Sequence, residues 1–145
     1  MKLQIREIPY SDEEYRKELA LRDEVLRKPL GRSLYDENLD AERDDYHIGA
    51  FINGQLIGVL ILRRLNSTDI KMKQVAVTER WQGHGTGREM VRYAEEYAKN
   101  NGYTDILLNA RKTATGFYEK QGYDQIGEEF LEIDIPHFKM RKSIL

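Results

Sequence analysis

Apolar and polar residues change rhythm several times along this 145-residue chain, and each change marks an element. Near the N-terminus "LQIREI" alternates with a period of two, as a half-buried strand does. "SDEEYRKELALRDEVLRK" follows with helical spacing. Ser11 or Asp12 serves as its N-cap, carboxylates fill its first turn, and Pro29 and Gly31 stop it. The polar, acidic stretch "GRSLYDENLDAERDD" reads as a loop with room for one short helix. "YHIGAFINGQLIGVLILRRL" holds two β-type runs about Asn53-Gly54, a pair that tolerates positive φ at both hairpin turn positions. "DIKMKQVAVTE" is a further strand, with Ile70, Met72, Gln74 and Ala76 alternating against Lys71, Lys73, Val75 and Val77.

Residues 85 to 100 then adopt helical spacing, with Met90, Val91, Ala94, Tyr97 and Ala98 on one face and Asn101-Gly102 as the C-cap pair. "TDILLN" reads as a short buried strand and "TATGFYEKQ" as a short helix closed by Gly122. "YDQIGEEFLEIDI" and "HFKMRKSI" supply the last two strands. The order β-α-loop-β-β-β-α-β-α-β-β calls for helices covering a mixed sheet dominated by antiparallel neighbours.

No repeat, low-complexity tract or linker interrupts the pattern, so a single domain over residues 1–145 is expected. A formal net charge of −2 gives no strong field toward nucleic acid or a membrane surface, and neither partner is expected. The short basic clusters Arg27-Lys28 and Lys139-Arg141-Lys142 read first as solvated faces. The absence of cysteine removes disulfides, thiol nucleophiles and cysteine-type zinc sites, and suits a reducing compartment. The longest apolar run, Leu56 to Leu62, is too short to span a bilayer, and "MKLQIREIPY" lacks the apolar core of a signal peptide. A cytoplasmic protein is the expectation.

The chemistry concentrates where three glycines separate a strand from a helix, in "VAVTERWQGHGTGREMVRYAEEYA". A helix N-terminus carries unpaired N–H groups and the positive end of the macrodipole, and glycines let an anion approach the backbone. A Walker loop would need Gly-Lys-Ser/Thr, and a dinucleotide fingerprint would need a small residue where Arg88 stands. Neither is present. What remains is Gln82-Gly83-His84-Gly85-Thr86-Gly87, with Arg80-x-x-Gly83-x-Gly85 as a shifted frame.

This run resembles the acetyl-CoA-binding motif of the GNAT superfamily of N-acetyltransferases. "GFYEKQGY" at residues 116 to 123 is similar to the family's second signature, and the element order matches over nearly the whole chain. "LRDEVLRKPLG" and "GEEFLEIDIPHFKM" resemble an uncharacterised bacterial branch. The family often has an asparagine three residues before the alanine of the second signature. Here that position is Arg111, with Asn109 close enough to substitute. The resemblance implies an α/β fold (α+β by some schemes), with a mixed, mostly antiparallel sheet of six to seven strands and helices on both faces.

It also implies roles. Acetyl-CoA, as acyl donor, would set its diphosphate against the backbone of Gln82, Gly83, His84, Gly85, Thr86, Gly87 and Arg88. Its pantetheine arm would pair with the main chain of Val75, Ala76 and Val77, leaving the Val77 N–H to meet an oxyanion. Tyr118, within the second signature, would touch the cofactor sulfur and return a proton to the departing thiolate. Glu79, just beyond the cofactor strand, is one candidate base for the amine; read as a bare sequence position it is a solvent-facing charge. The three histidines compete with Glu79 for the role of base. His137, a catalytic candidate, together with Glu132 on the preceding strand and His47, would line the acceptor site. The three histidines lack metal-ligand spacing, and no metal is expected. The acidic loop would draw a cationic amine.

Three functions stay open at this level. The first is acetyl transfer to a small-molecule amine. The second is transfer to a protein lysine or N-terminal amine, and the third is an acyl-CoA sensor without turnover. Edge strands near the C-terminus are where two copies would pair as a homodimer.

Overall fold

The computed structural model describes residues 2–145. Its elements follow the sequence pattern: β1 Leu3–Glu7, α1 Asp12–Leu26, β2 Tyr46–Ile52, β3 Gln55–Arg64, β4 Asp69–Val77, α2 Thr86–Asn100, β5 Asp105–Arg111, α3 Thr115–Glu119, β6 Asp124–Glu132 and β7 Ile135–Ser143. The strands form one mixed, mostly antiparallel sheet in the order β1-β2-β3-β4-β5-β7-β6, flanked by helices. β4 and β5 are its parallel pair.

Two compact units divide the chain. The first holds residues up to Arg63 together with Gln74–Ala94. In it Ser11 caps α1, its hydroxyl accepting from the Glu14 N–H at 3.4 Å. Asn53 and Gly54 turn the β2–β3 hairpin with φ of 52° and 77°, the left-handed pair that a two-residue turn needs. Ile8, Leu21, Phe51, Val59 and Ala76 pack into a core cluster. Each large aliphatic or aromatic side chain buried this way contributes roughly 1.5–3 kcal/mol. Gly58 leaves room for Met90, whose sulfur lies 2.9 Å from where a Cβ on residue 58 would stand.

A short 3-10 turn, Lys28–Leu30, follows α1, and the acidic stretch after it forms two more, at Leu34–Asp36 and Asp40–Asp44. That stretch is not wholly solvated, because Glu42 is buried. Arg27, expected on a solvated face, is buried too and holds Glu37 through bonds of 2.6 and 3.2 Å.

The second unit holds Arg64–Lys73 and Glu95–Leu145. β5 alternates strictly, with Ile106, Leu108 and Ala110 buried, and β7 lies antiparallel beside it. In the second basic cluster Lys139 is exposed, as expected, while Arg141 and Lys142 combine partial exposure with ion pairs. Arg141 bonds Asp105 at 3.0 Å and Asp69 at 3.3 Å, and Lys142 bonds Glu95 at 3.0 Å.

The boundary between the last two strands differs from the sequence reading. The chain reverses at Ile133-Asp134, with φ of 46° and 62°, so β6 stops before Ile135 and Pro136 lies inside β7. A β-branched residue in the left-handed region is rare, and "EIDIP" therefore conceals a two-residue turn. No described helix is long and apolar enough to cross a membrane.

Candidate acetyl-CoA site

The first unit assembles the glycine turn from main-chain geometry. β4 ends at Val77, and the Thr78 N–H donates to the Ile57 carbonyl at 2.9 Å. Ala76 is buried, while Val75 and Val77 are half-buried. One short turn, Glu79–Trp81, follows with Glu79 exposed at its start. Gln82 then returns to extended backbone, and its side-chain amide donates to the Val77 carbonyl at 2.9 Å. This bond ties the glycine turn to the end of the strand.

Gly83 and Gly85 both take left-handed φ, 78° and 84°. A Cβ at Gly83 would meet nothing within 4 Å, so glycine is needed there for its dihedral and not for space. The first main-chain bond of α2 runs from the Glu89 N–H to the Gly85 carbonyl at 3.1 Å. The amides of Thr86, Gly87 and Arg88 come before that bond and are the unpaired donors of the helix mouth. The Arg88 guanidinium folds back over the turn, 3.9 Å from where a Cβ on Gly85 would stand. His84 is exposed with its ring 5.5 Å from that of Trp81, over which the Arg80 guanidinium lies at 5.6 Å. Residues 82–88 thus form a local concentration of amide donors and positive charge, which suits a diphosphate.

The second unit brings together three of the expected residues. The Asn109 side-chain amide donates to Glu132 Oε1 at 3.1 Å, and His137 Nε2 lies 3.5 Å from Glu132 Oε2. His137 Nδ1 donates to the Ile135 carbonyl at 2.7 Å, which fixes the ring at the β6–β7 hairpin. The hairpin register, Phe130 opposite His137 and Glu132 opposite Ile135, places these side chains. Tyr118 is buried against Phe117 and Tyr123, with ring centroids 4.9 and 5.8 Å away. Burial pushes its phenol well above the ordinary value, so the hydroxyl keeps its proton throughout the neutral range.

The sequence profile of the acetyltransferase (GNAT) domain matches residues 8–144. The chain belongs to the GNAT acetyltransferase family. Its family-level activity is acyl-CoA-dependent N-acetyl transfer. This GNAT chain is similar to YjcF, an uncharacterised N-acetyltransferase of Bacillus subtilis (strain 168), at 27% identity over 137 residues, 94% of this chain and 97% of YjcF. Its fold is similar to that of a putative N-acetyltransferase from Lactobacillus plantarum, with a TM-score of 0.89, 24% identity and full coverage of both chains. A GNAT acetyltransferase from Elizabethkingia anophelis with acetyl-CoA bound also shares the fold, at a TM-score of 0.71, 19% identity and 97% coverage of each.

One group of polar residues in this GNAT chain escaped the sequence reading. His47, expected at the acceptor site, lies instead among Glu18, Arg22, Glu42 and Tyr15, and it is only 2% exposed. Its Nδ1 meets the Glu18 carboxylate at 2.9 Å and its Nε2 meets the Glu42 carbonyl at 2.7 Å. The Glu42 carbonyl can only accept, so Nε2 carries a proton, and a carboxylate at Nδ1 favours a second proton and hence positive charge on the ring. Burial opposes that charge, but Glu18 and the Glu42 carbonyl outweigh it and hold the pKa above its ordinary value. The one available sequence signal was the i,i+4 spacing of Glu18 and Arg22, which ordinarily marks an exposed helix pair.

Proposed function

We propose that this chain transfers the acetyl group of acetyl-CoA to the primary amine of a small molecule, by direct attack through a tetrahedral intermediate. The observation that carries the reading is the turn at residues 82–88. Two left-handed glycines there present the free amides of a 15-residue helix beside the end of β4. The acetyl-CoA held by the Elizabethkingia anophelis relative supports acetyl-CoA as the donor.

In this reading the amides of Gly83 to Arg88 take the diphosphate, and Arg88 adds charge from the side. The main chain of Val75, Ala76 and Val77 takes the pantetheine arm, and the Val77 N–H stabilises the oxyanion. Loss of one such donor costs roughly 3–4 kcal/mol in enzymes where it has been measured. The amine nitrogen bonds to the thioester carbon, giving up its proton to Glu79 or His137. The carbon–sulfur bond then breaks, and Tyr118 protonates the leaving sulfur. The raised phenol makes that transfer uphill by itself, so it runs in concert with carbon–sulfur cleavage.

Asn109, Glu132 and His137 form a compact polar group with His137 only 3% exposed, which favours a small acceptor over an extended peptide. The family profile over residues 8–144 supports one acetyltransferase domain. β6 ends the sheet and carries Leu131 at 69% exposure, which supports a homodimer through that edge.

Calorimetry with CoA tests the reading: saturable binding is expected, and no saturation at millimolar CoA would overturn it. Release of free CoA from acetyl-CoA is then followed against amino sugars, polyamines and amino acids. Acetylation of protein lysines alone would move the acceptor to the protein class.

A further inference from the structure

The residue before the proposed cofactor strand segment is held in an unusual conformation. Gln74 has φ of 56°, in the left-handed region, within a strand whose other residues are extended. A non-glycine residue there costs of order 1 kcal/mol and persists only where the surroundings impose it. The surroundings are visible. Gln74 Oε1 accepts from Arg22 Nε at 3.4 Å. Arg22 is itself fully buried and cannot shift, because its Nη1 donates to Glu18 at 3.0 Å and Glu42 at 2.8 Å and its Nη2 donates to Glu42 at 2.6 Å. Behind these carboxylates stand the His47 ring and the Tyr15 hydroxyl, which donates to Glu42 at 2.6 Å.

We infer that Arg22 and Gln74 are positioning residues, a clamp that fixes the left-handed kink at Gln74 and thereby aims the amides of Val75, Ala76 and Val77. The reason is geometric. A strand residue moved from left-handed to extended backbone rotates every peptide after it, and a one-residue slip exchanges the faces of a strand. Ala76 is buried in the core cluster, so the segment has one acceptable orientation, and the kink selects it. A charged donor is used because a buried guanidinium with both carboxylates in place has a single low-energy position. The inference rests on the reading that acetyl-CoA lies along residues 75 to 77.

Two variants that differ by one methyl group test it. Gln74→Ala removes the acceptor and disfavours positive φ, whereas Gln74→Gly removes the acceptor and accepts that φ freely. Binding of CoA is measured by calorimetry, and acetyl-CoA hydrolysis by thiol release. Gln74→Ala is expected to lower kcat about 100-fold, near the effect of one misplaced oxyanion donor, and to weaken CoA binding no more than about tenfold. Gln74→Gly is expected within about threefold of wild type in both. Gln74→Ala with wild-type kcat overturns the clamp, and so does Gln74→Gly as impaired as Gln74→Ala.

Should Gln74→Ala not fold, Arg22→Lys gives the second arm. Lysine keeps the charge but has no Nε–H for Gln74. It is expected to lower kcat about tenfold alone and to have no further effect in a Gln74→Gly background; equal effects in both backgrounds overturn the clamp. Wild-type protein that takes no CoA removes the acetyl-CoA reading itself, which separates the two failures.

Discussion

Arg22 grips the Glu42 carboxylate in a two-pronged ion pair, Nη1 to Oε1 at 2.8 Å and Nη2 to Oε2 at 2.6 Å, with both side chains buried. The pairing connects α1 to the acidic turn at Asp40–Asp44, an element with little apolar burial of its own. Arg22 stays charged throughout, since the bonds and charges of Glu42 and Glu18 outweigh the burial that opposes it. Removing Glu42 would leave a buried guanidinium facing only Glu18 and Gln74.

Glu42→Ala is therefore expected to destabilise the fold by about 3–5 kcal/mol, the usual cost of breaking a buried pair on one side. The double variant Arg22→Met/Glu42→Leu, which removes both charges, is expected to lose less than the single one. Urea unfolding of the three proteins measures this, and a double variant weaker than Glu42→Ala would contradict it.

The His47 imidazolium gives the stability a pH dependence with a definite sign. Glu18, Glu42, Tyr10 and Tyr15 face it, and Arg22 pairs with the same two carboxylates. Its folded pKa lies above the usual 6.5, so its contribution is complete below about pH 6.5 and is lost as pH rises through the folded value. The Tm deficit of His47→Gln against wild type should accordingly be largest near pH 6 and shrink at higher pH. A deficit constant from pH 6 to 10 would show that the ring's charge does not contribute.

Tyr118→Phe isolates the phenolic proton. The ring and its contacts with Phe117 and Tyr123 are retained, so folding and CoA affinity should stay near wild type. Turnover with an active amine should fall by roughly 10²- to 10⁴-fold. Unchanged kcat would remove Tyr118 from the reaction.

Gly58→Ala tests the close approach of α2 to β3. The new methyl would stand 2.9 Å from Met90 Sδ, 3.1 Å from Met90 Cε and 3.3 Å from the Ala76 carbonyl oxygen. Met90 can rotate away, but the Ala76 backbone cannot, and a loss of roughly 1–3 kcal/mol is expected. Pairing it with Met90→Val should recover part of that loss in the same urea titration.

Much of the fold was legible in local pattern. Alternation located β4, the short apolar run "TDILLN" located β5, the Asn53-Gly54 pair located a hairpin, and Met90, Val91, Ala94 and Ala98 are all buried along α2 as their spacing requires. The turn at Ile133-Asp134 was not legible, because nothing in an Ile-Asp pair announces left-handed backbone. The charged residues misled more often. Arg27 and Glu42 are polar letters in a polar context, and only their partners decide whether they meet water or one another.

The glycine turn shows what a sequence can determine alone: Gly83, Gly85 and the helix after them act within a few residues, and backbone dihedrals and helix-end donors are local properties. The Gln74 kink and its clamp belong to the tertiary structure. Arg22, Glu42, His47 and Gln74 come from four separate elements, and a side chain's charge carries no record of the distant residue that will face it. Burial converts that charge from a surface property into a fixed contact, and burial exists only once the chain has folded.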